Sequence, residues 1–352
     1  MISIKKTQFI LLGLFIAGFI GCGNSDDKDT KTGYEGMLDN IATEVDATAH
    51  ELWNTSPLSL DAKRIEALNK IQGYADNCQD DNFISFLKGF DQASMNMAKS
   101  EPILIFYRSA FQRILEGIKE SAVENGTTEI WSLYNMGYVV KTPSGCFGVD
   151  ISHRWAEEFA PYLDFLCVTH KHSDHYSEKL IQAMFDLGKP VFSNYLKDGS
   201  YPYTSTVPAD YMIGKFKIRT SITDHNNSGL SNFVTVFQID CGEDSGNFTM
   251  IHTGDSNFKP EQYTNISAHV NVLIPRYAPN ALTENNIIGV GKGKVEPDYV
   301  LLSHILELAH AGVNDSRWSI DMALERASKI NCKQTYVPMW GEKLVWKEGK
   351  LH

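Results

Sequence analysis

The sequence predicts a layered α/β protein preceded by a helical region. Three observations predict it. The hydrophobic period is helical from about residue 35 to 122 and becomes strand-like at about 128. From there to about 342, strand-length apolar runs alternate with helical stretches, the pattern of helices covering sheets. One of those runs, Phe165-Leu166-Cys167-Val168, opens directly into His170-Lys171-His172-Ser173-Asp174-His175, which reads as a chemical site at the mouth of a buried strand.

At the N-terminus, Lys5 and Lys6 precede an apolar run, Phe9 to Ile20, that is short for a bilayer span and has the shape of a secretory signal. An uncleaved signal anchor is the alternative. The closing Phe19-Ile20-Gly21-Cys22 resembles the lipobox of bacterial lipoproteins. That resemblance implies removal of residues 1–21 and membrane attachment through lipid on Cys22. Gly23, where an Asp would signal inner-membrane retention, implies the outer membrane. Ser25-Asp26-Asp27-Lys28-Asp29 resembles surface-export signals, with the periplasmic or cell-surface side left open. Residues 22–34 read as a flexible polar tether.

Residues 35–124 are expected to be helical. Ile65, Leu68 and Ile71 form one stripe, Phe83, Leu87 and Phe90 a second, and Phe111, Ile114, Leu115 and Ile118 a third. The expectation is a bundle packed on the following domain; a substrate-selecting cap is the sharper alternative. Residues 125–352 form that domain. Ile130 to Val140 and Cys146 to Val149 read as strands joined by the turn Thr142-Pro143-Ser144-Gly145. Ser177 to Leu187 reads as a helix. Phe233 to Ile239 and Phe248 to Ile251 flank a hairpin at Cys241 to Asn247. Val270 to Ile274 and Tyr299 to Leu302 are further strands, and Ile320 to Ile330 a further helix.

Composition narrows the function. The net charge of −11, from 32 basic and 43 acidic residues, comes without a basic stripe and counts against a nucleic-acid partner. A hydrophobic content of 43% is enough for a full core. After Cys22 the cysteines are Cys78, Cys146, Cys167, Cys241 and Cys332, an odd number with no Cys-x-x-Cys and no disulfide framework. Cys146, Cys167 and Cys241 sit in or beside strands and are expected to be buried thiols, so no catalytic cysteine is expected.

Neutral imidazoles and carboxylates are the usual ligands of zinc and similar divalent metals. Alternation in extended chain points His170 and His172 the same way, toward one metal. The cluster resembles the His-x-His-x-Asp-His signature of the metallo-β-lactamase superfamily. Gly148-Val149-Asp150, Asp224-His225-Asn226, His252-Thr253-Gly254-Asp255 and Leu301-Leu302-Ser303-His304 follow the order of that superfamily's other motifs, over about residues 128–342.

The resemblance implies a four-layer αββα sandwich with two divalent metal ions at one edge. Zn2+ is expected, with Mn2+ or Fe2+ open. It assigns His170, His172 and His225 to one metal, Asp174, His175 and His304 to the other, and Asp255 between them. It implies a metal-bound hydroxide as nucleophile, with Asp174 orienting the water and shuttling its proton. Asp150 would accept a ring N–H from a ligating histidine; a strand-end turn is its alternative role. His304 directly follows a strand, but His310 is a second candidate for the last ligand. The spacing of that pair does not suit a zinc-protease helix.

Several neighbours of the motifs are left with milder expectations. His252 is expected to pack or hydrogen-bond near the site. His153, beside Arg154, is expected at the surface, with pocket lining as the alternative. His50, His269 and His352 have no ligand context. Asn226 and Asn227 form a turn or bind substrate oxygens.

Within the superfamily the phrases look most like the lactonase and phospholipase-D-like branch. That implies a hydrolase of ester, lactone or phosphodiester bonds in a small-molecule or lipid substrate. An iron-dependent oxidoreductase on the same scaffold and a non-catalytic surface binding lipoprotein are the competing readings.

Overall fold

The computed structural model describes residues 33–78, 80–89, 96–97, 99–196, 200–227, 229–277, 280–309 and 319–352, with only the backbone of 33–36 and 80. The signal segment, Cys22, the acidic stretch, Phe90 and His310 lie outside the described residues.

Seven helices are described: α1 (Gly33–Trp53), α2 (Ala62–Asp76), α3 (Asp80–Lys88), α4 (Pro102–Glu120), α5 (Glu178–Asp186), α6 (Asn280–Thr283) and α7 (Ile320–Ala327). The first sheet draws on β1 (Thr127–Ser132), β2 (Tyr138–Thr142), β3 (Gly145–Val149), β4 (Phe165–Cys167) and β5 (Val191–Phe192). The second holds β6 (Asp210–Ile213), β7 (Phe216–Thr223), β8 (Val234–Asp240), β9 (Thr249–His252), β10 (His269–Ile274), β11 (Glu296–Leu301) and β12 (Thr335–Tyr336). The chain then returns to the first sheet as β13 (Lys343–Lys347) and β14 (Lys350–Leu351). The strand orders are β14-β13-β1-β2-β3-β4-β5 and β12-β11-β10-β9-β8-β7-β6.

Alternation along each strand builds three apolar layers. Ile130, Val140, Phe147 and Phe165 of the first sheet meet Ile218, Phe237, Met250 and Val272 of the second in a core between the sheets. Their outward neighbours Trp131, Val139 and Leu166 meet the second half of α4, at Phe111, Ile114 and Ile118, and Leu180 and Met184 of α5. On the far side, Val236, Ile251, Val270 and Val300 meet Leu282 of α6 and Ile320 and Ala323 of α7. The architecture is therefore a four-layer αββα sandwich, as the sequence pattern and its resemblance imply. Strands buried on both faces explain why runs such as 165–168 are continuously apolar.

The helices begin where the chain supplies caps. Asp61 accepts the Arg64 N–H at 2.9 Å, and Ser177 and Ser319 accept from Leu180 and Met322. Pro102 opens α4, where a missing N–H costs nothing. The N-terminal helices share one apolar cluster with the outer face of the second sheet: Ala49 and Leu52 of α1, Leu68 and Ile71 of α2, Phe83 and Phe86 of α3 and Ile103 to Phe106 of α4 all join it.

Two expectations are corrected. Ile65 was expected on the buried stripe of α2 but is 37% exposed, while Arg64 is 0% exposed. The reason is an ion pair: Arg64 Nη1 and Nη2 grip both oxygens of buried Glu342, and Nη2 also donates to the Val337 carbonyl at 3.0 Å. The buried face of α2 keeps its helical period through Ala67, Leu68, Ile71 and Ala75, but its first position is filled by a paired charge in place of Ile65. Second, Ile130 to Val140 is not one strand. Asn135, at φ 58°, reverses the chain, and β1 and β2 pair antiparallel with Ile130 opposite Val140.

Removing one member of a buried pair strands the other charge, at a cost of roughly 3–5 kcal/mol. Glu342→Ala is therefore expected to lower the urea midpoint sharply. The double change Arg64→Met, Glu342→Leu is expected to recover most of the loss. A double variant no more stable than Glu342→Ala would contradict this account.

Candidate metal centre

Strand direction brings the candidate residues to one rim. β3 and β4 run parallel. In the second sheet β7 and β9 are both antiparallel to β8, and β9, β10 and β11 are parallel. Asp150, His170, His225, Asp255 and His304 all follow the C-terminal ends of strands running these ways, so within each sheet they leave at the same edge. The two sheets are stitched there, since the Thr235 N–H at the start of β8 donates to the Thr169 carbonyl at 2.8 Å.

All seven sequence-predicted donors come together. His170, His172 and His225 form one group; His170, His175 and Asp255 a second; Asp174, His175 and His304 a third; within each, the donor atoms lie within 4.8 Å of one another. His170 Nε2 is 3.1 Å from His172 Nδ1. Asp174 Oδ2 lies 3.3 Å from His175 Nε2 and 3.2 Å from His304 Nε2. Asp255 stands between, with Oδ2 3.4 Å from His225 Nε2 and 3.6 Å from His304 Nε2, and Oδ1 3.5 Å from His175 Nε2. Donors held roughly 2.0–2.1 Å from a tetrahedral zinc ion lie about 3.3–3.4 Å apart, so these separations suit the edges of a coordination shell.

Asp150 organises the donors from beneath. Its Oδ1 accepts the Thr169 N–H at 2.7 Å, and its Oδ2 accepts the Thr169 hydroxyl at 2.6 Å and His175 Nδ1 at 2.8 Å. With its proton committed to Asp150, the Thr169 hydroxyl accepts from His170 Nδ1 at 3.0 Å. Both rings are thereby held with Nδ1 protonated and Nε2 directed into the cluster, where a cation would take the place of a second proton. His225 differs. Its Nδ1 accepts the Asn227 N–H at 2.8 Å, which places the proton of a neutral ring on Nε2, so ligation there requires that amide contact to open.

The electrostatics follow from burial and close opposite charges. Burial holds the pKa values of His170 and His172 down. Burial also opposes a charge on His175, but Asp174, Asp255 and Asp150 around it raise its pKa well above the usual value. Burial opposes ionisation of Asp174 and Asp255, and the attraction of His175 and His304 overrides it, keeping both far below the carboxylate range.

The rim is strained where it carries the donors and their supports. Asp150 (φ 47°), His304 (φ 62°) and Asn135 (φ 58°) all sit in the left-handed region, which costs an L-residue about 1–2 kcal/mol. Gly254 (φ 50°) precedes Asp255, and a Cβ there would lie 2.5 Å from Thr169 Oγ1, so the chain passes Asp255 against Thr169 only as glycine.

Asn135 is a site residue that the sequence reading missed. Its side-chain amide donates to the Asp174 carbonyl at 2.9 Å and to Asp174 Oδ2 at 3.1 Å, while its own carbonyl accepts the His304 N–H at 3.2 Å. The available signal was Asn135-Met136-Gly137, a turn phrase inside an apolar run.

A cavity of about 1030 Å³ opens over the cluster, with His172, Asp174, His225, Asp255 and His304 in its floor. Phe83, Ile84 and Leu87 of α3 form part of its wall, and Asn226 and Asn227 line it. His153, expected at the surface, is buried and lines the cavity, stacked between Tyr107 (3.8 Å) and Phe111 (4.4 Å) because its neutral ring packs as an aromatic. His252 donates from Nε2 to the Met136 carbonyl at 2.9 Å beneath the site. The five described cysteines are free. Burial raises the thiol pKa of Cys146 to about 12 and those of Cys167 and Cys241 well above normal, so none is a ready nucleophile.

The donor set suits a divalent cation by a further test. Among the described residues, His175 Nε2, His225 Nε2 and Asp255 Oδ1 are buried and find no hydrogen-bond partner, an arrangement that protein interiors rarely tolerate without a ligand.

No family model matches the chain, and no curated protein matches it. Solved structures similar to it include the metallo hydrolase Igni18 from Ignicoccus hospitalis, at 15% identity, TM-score 0.43, covering 63% of this chain and 99% of that one. The metallo-β-lactamase fold protein YhfI from Bacillus subtilis is 16% identical, TM-score 0.40, covering 62% and 99%. CmlA, a diiron β-hydroxylase from Streptomyces venezuelae, is 12% identical, TM-score 0.42, covering 76% and 59%.

If Asp150 sets the His175 ring, Asp150→Asn is expected to weaken zinc binding roughly 10–100-fold while the fold persists. Competition against a chromogenic chelator, alongside circular dichroism, measures both. Unchanged affinity would remove Asp150 from the metal centre.

Proposed function

We propose that this chain is a metal-dependent hydrolase of the metallo-β-lactamase type, holding two divalent cations, Zn2+ in the first instance. The observation that carries the reading is the convergence of seven imidazole and carboxylate donors, from loops far apart in sequence, around buried donor atoms that make no hydrogen bond. His170, His172 and His225 would hold one cation, Asp174, His175 and His304 the other, with Asp255 shared. Cations so held supply Lewis acidity and acidify a coordinated water at neutral pH.

The chain's own groups supply the rest. Asp174 lines the cavity and is steadied by Asn135, so it is placed to orient a reacting water and carry its proton. Asn226 and Asn227, which line the same cavity, would offer amides to substrate oxygens. The bond class is an ester, lactone or phosphodiester, within a small-molecule or lipid substrate.

Two experiments test this. The purified protein is expected to contain zinc by elemental analysis and to cleave a chromogenic ester or phosphodiester. Asp174→Asn is expected to lose at least about 100-fold in kcat. Full activity in that variant would overturn the role of Asp174, and iron with no hydrolysis would favour the oxidoreductase alternative. We also propose export as a lipoprotein. In that case Cys22→Ser is expected to move the protein out of the membrane fraction, and retention in the membrane would reject lipid anchoring at that residue.

A further inference from the structure

Among the described residues, a buried guanidinium lines the cavity with two nitrogens that find no acceptor. Arg276 follows β10 and pairs in register with Ser303, the residue before His304. It is 2% exposed, it lines the cavity, and its Nε and Nη2 are buried without a hydrogen bond. Aromatic faces account for one side of it: the guanidinium carbon lies 4.7 Å from the Tyr277 ring centre and 6.0 Å from that of Phe258. Tyr277 in turn stands against His304, with ring centres 5.7 Å apart. A face-on ring stabilises the charge but takes up none of the N–H donors. Burying a guanidinium with idle donors is costly unless a ligand completes it.

Three of the four acids that line the cavity are engaged elsewhere. Asp174 and Asp255 belong to the donor cluster, and Glu307 Oε1 accepts from the Tyr134 hydroxyl at 2.9 Å and the Ala309 N–H at 3.0 Å. The planar fork of an arginine matches the paired oxygens of a phosphate or carboxylate. We propose that Arg276 is the anion-recognition residue of this site, and that the substrate carries an oxyanion group close to the bond that is cleaved. The wall of Phe83, Ile84 and Leu87 then faces an apolar remainder of the same molecule. This rests on the hydrolase reading for the reaction, but the anion site is testable without it.

The test uses the full chain, first as purified with its metal content measured and then after chelation. Inorganic phosphate and acetate are the probes, followed by calorimetric titration and thermal unfolding. At least one anion is expected to bind saturably and raise the melting temperature. Arg276→Met is expected to weaken that binding at least tenfold in both metal states. In anion-free buffer the same variant is expected to melt higher than the wild type, because it removes an unpaired buried charge and keeps the stem.

Phosphate alone as ligand assigns a phosphate-bearing substrate, acetate alone a carboxylate, and both a general oxyanion. Should methionine unfold the protein, Arg276→Lys keeps the charge and loses the fork, and at least threefold weaker binding is expected. Binding unchanged in both variants, or no anion binding by the wild type in either metal state, overturns the proposal. A protein that binds no metal yet shows Arg276-dependent anion binding refutes the hydrolase reading and leaves this one standing.

Discussion

The carboxylate of Asp150 is the interaction on which the candidate centre depends. It joins the end of β3 to the chain leaving β4 through both Thr169 donors, and it takes the Nδ1 proton of His175. Because Thr169 passes the constraint on to His170, one buried acid orients two rings that share a donor group with Asp255 and each join a further group. A neutral group of the same shape can fill that space. An amide cannot accept all three donors, since its NH2 would face either the Thr169 N–H or the Thr169 hydroxyl and His175 Nδ1 that share one oxygen.

That constraint has a conformational cost, and the rim carries it in its backbone. Asp150, Asn135 and His304 are all left-handed, and Gly254 is forced close to Thr169. Such residues persist only where the surroundings over-determine them. Here the two seven-stranded sheets do so, sharing one packed interior beneath the loops. Rigid strands end at the rim, and short loops need only carry the donors the last few ångströms.

The N-terminal helices enter the same logic. α4 presents its first half to the cluster that includes α1, α2 and α3, and its second half to the outer face of the first sheet. Tyr134, on the turn that also bears Asn135, packs its ring 5.5 Å from Phe83 of α3 and donates to Glu307. The helical region and the candidate centre are thus joined through one turn, and α3 supplies the apolar wall of the cavity.

Much of this was legible in the chain itself. Local patterning determined the strands at 248–251 and 270–274, the helices near 178–186 and 320–327, and the donor types at the strand ends, because period and composition are local properties. The resemblance ordered the seven donors. Only the tertiary structure decided that Arg64, not Ile65, turns inward, since its partner Glu342 lies far along the chain. Only it showed that Asn135 breaks an apolar run to reach Asp174 and His304, that His153 is buried between aromatic rings, and that Arg276 faces the cavity with idle donors. Each of these depends on a partner, or on the lack of one, at a distance in sequence that no local pattern encodes.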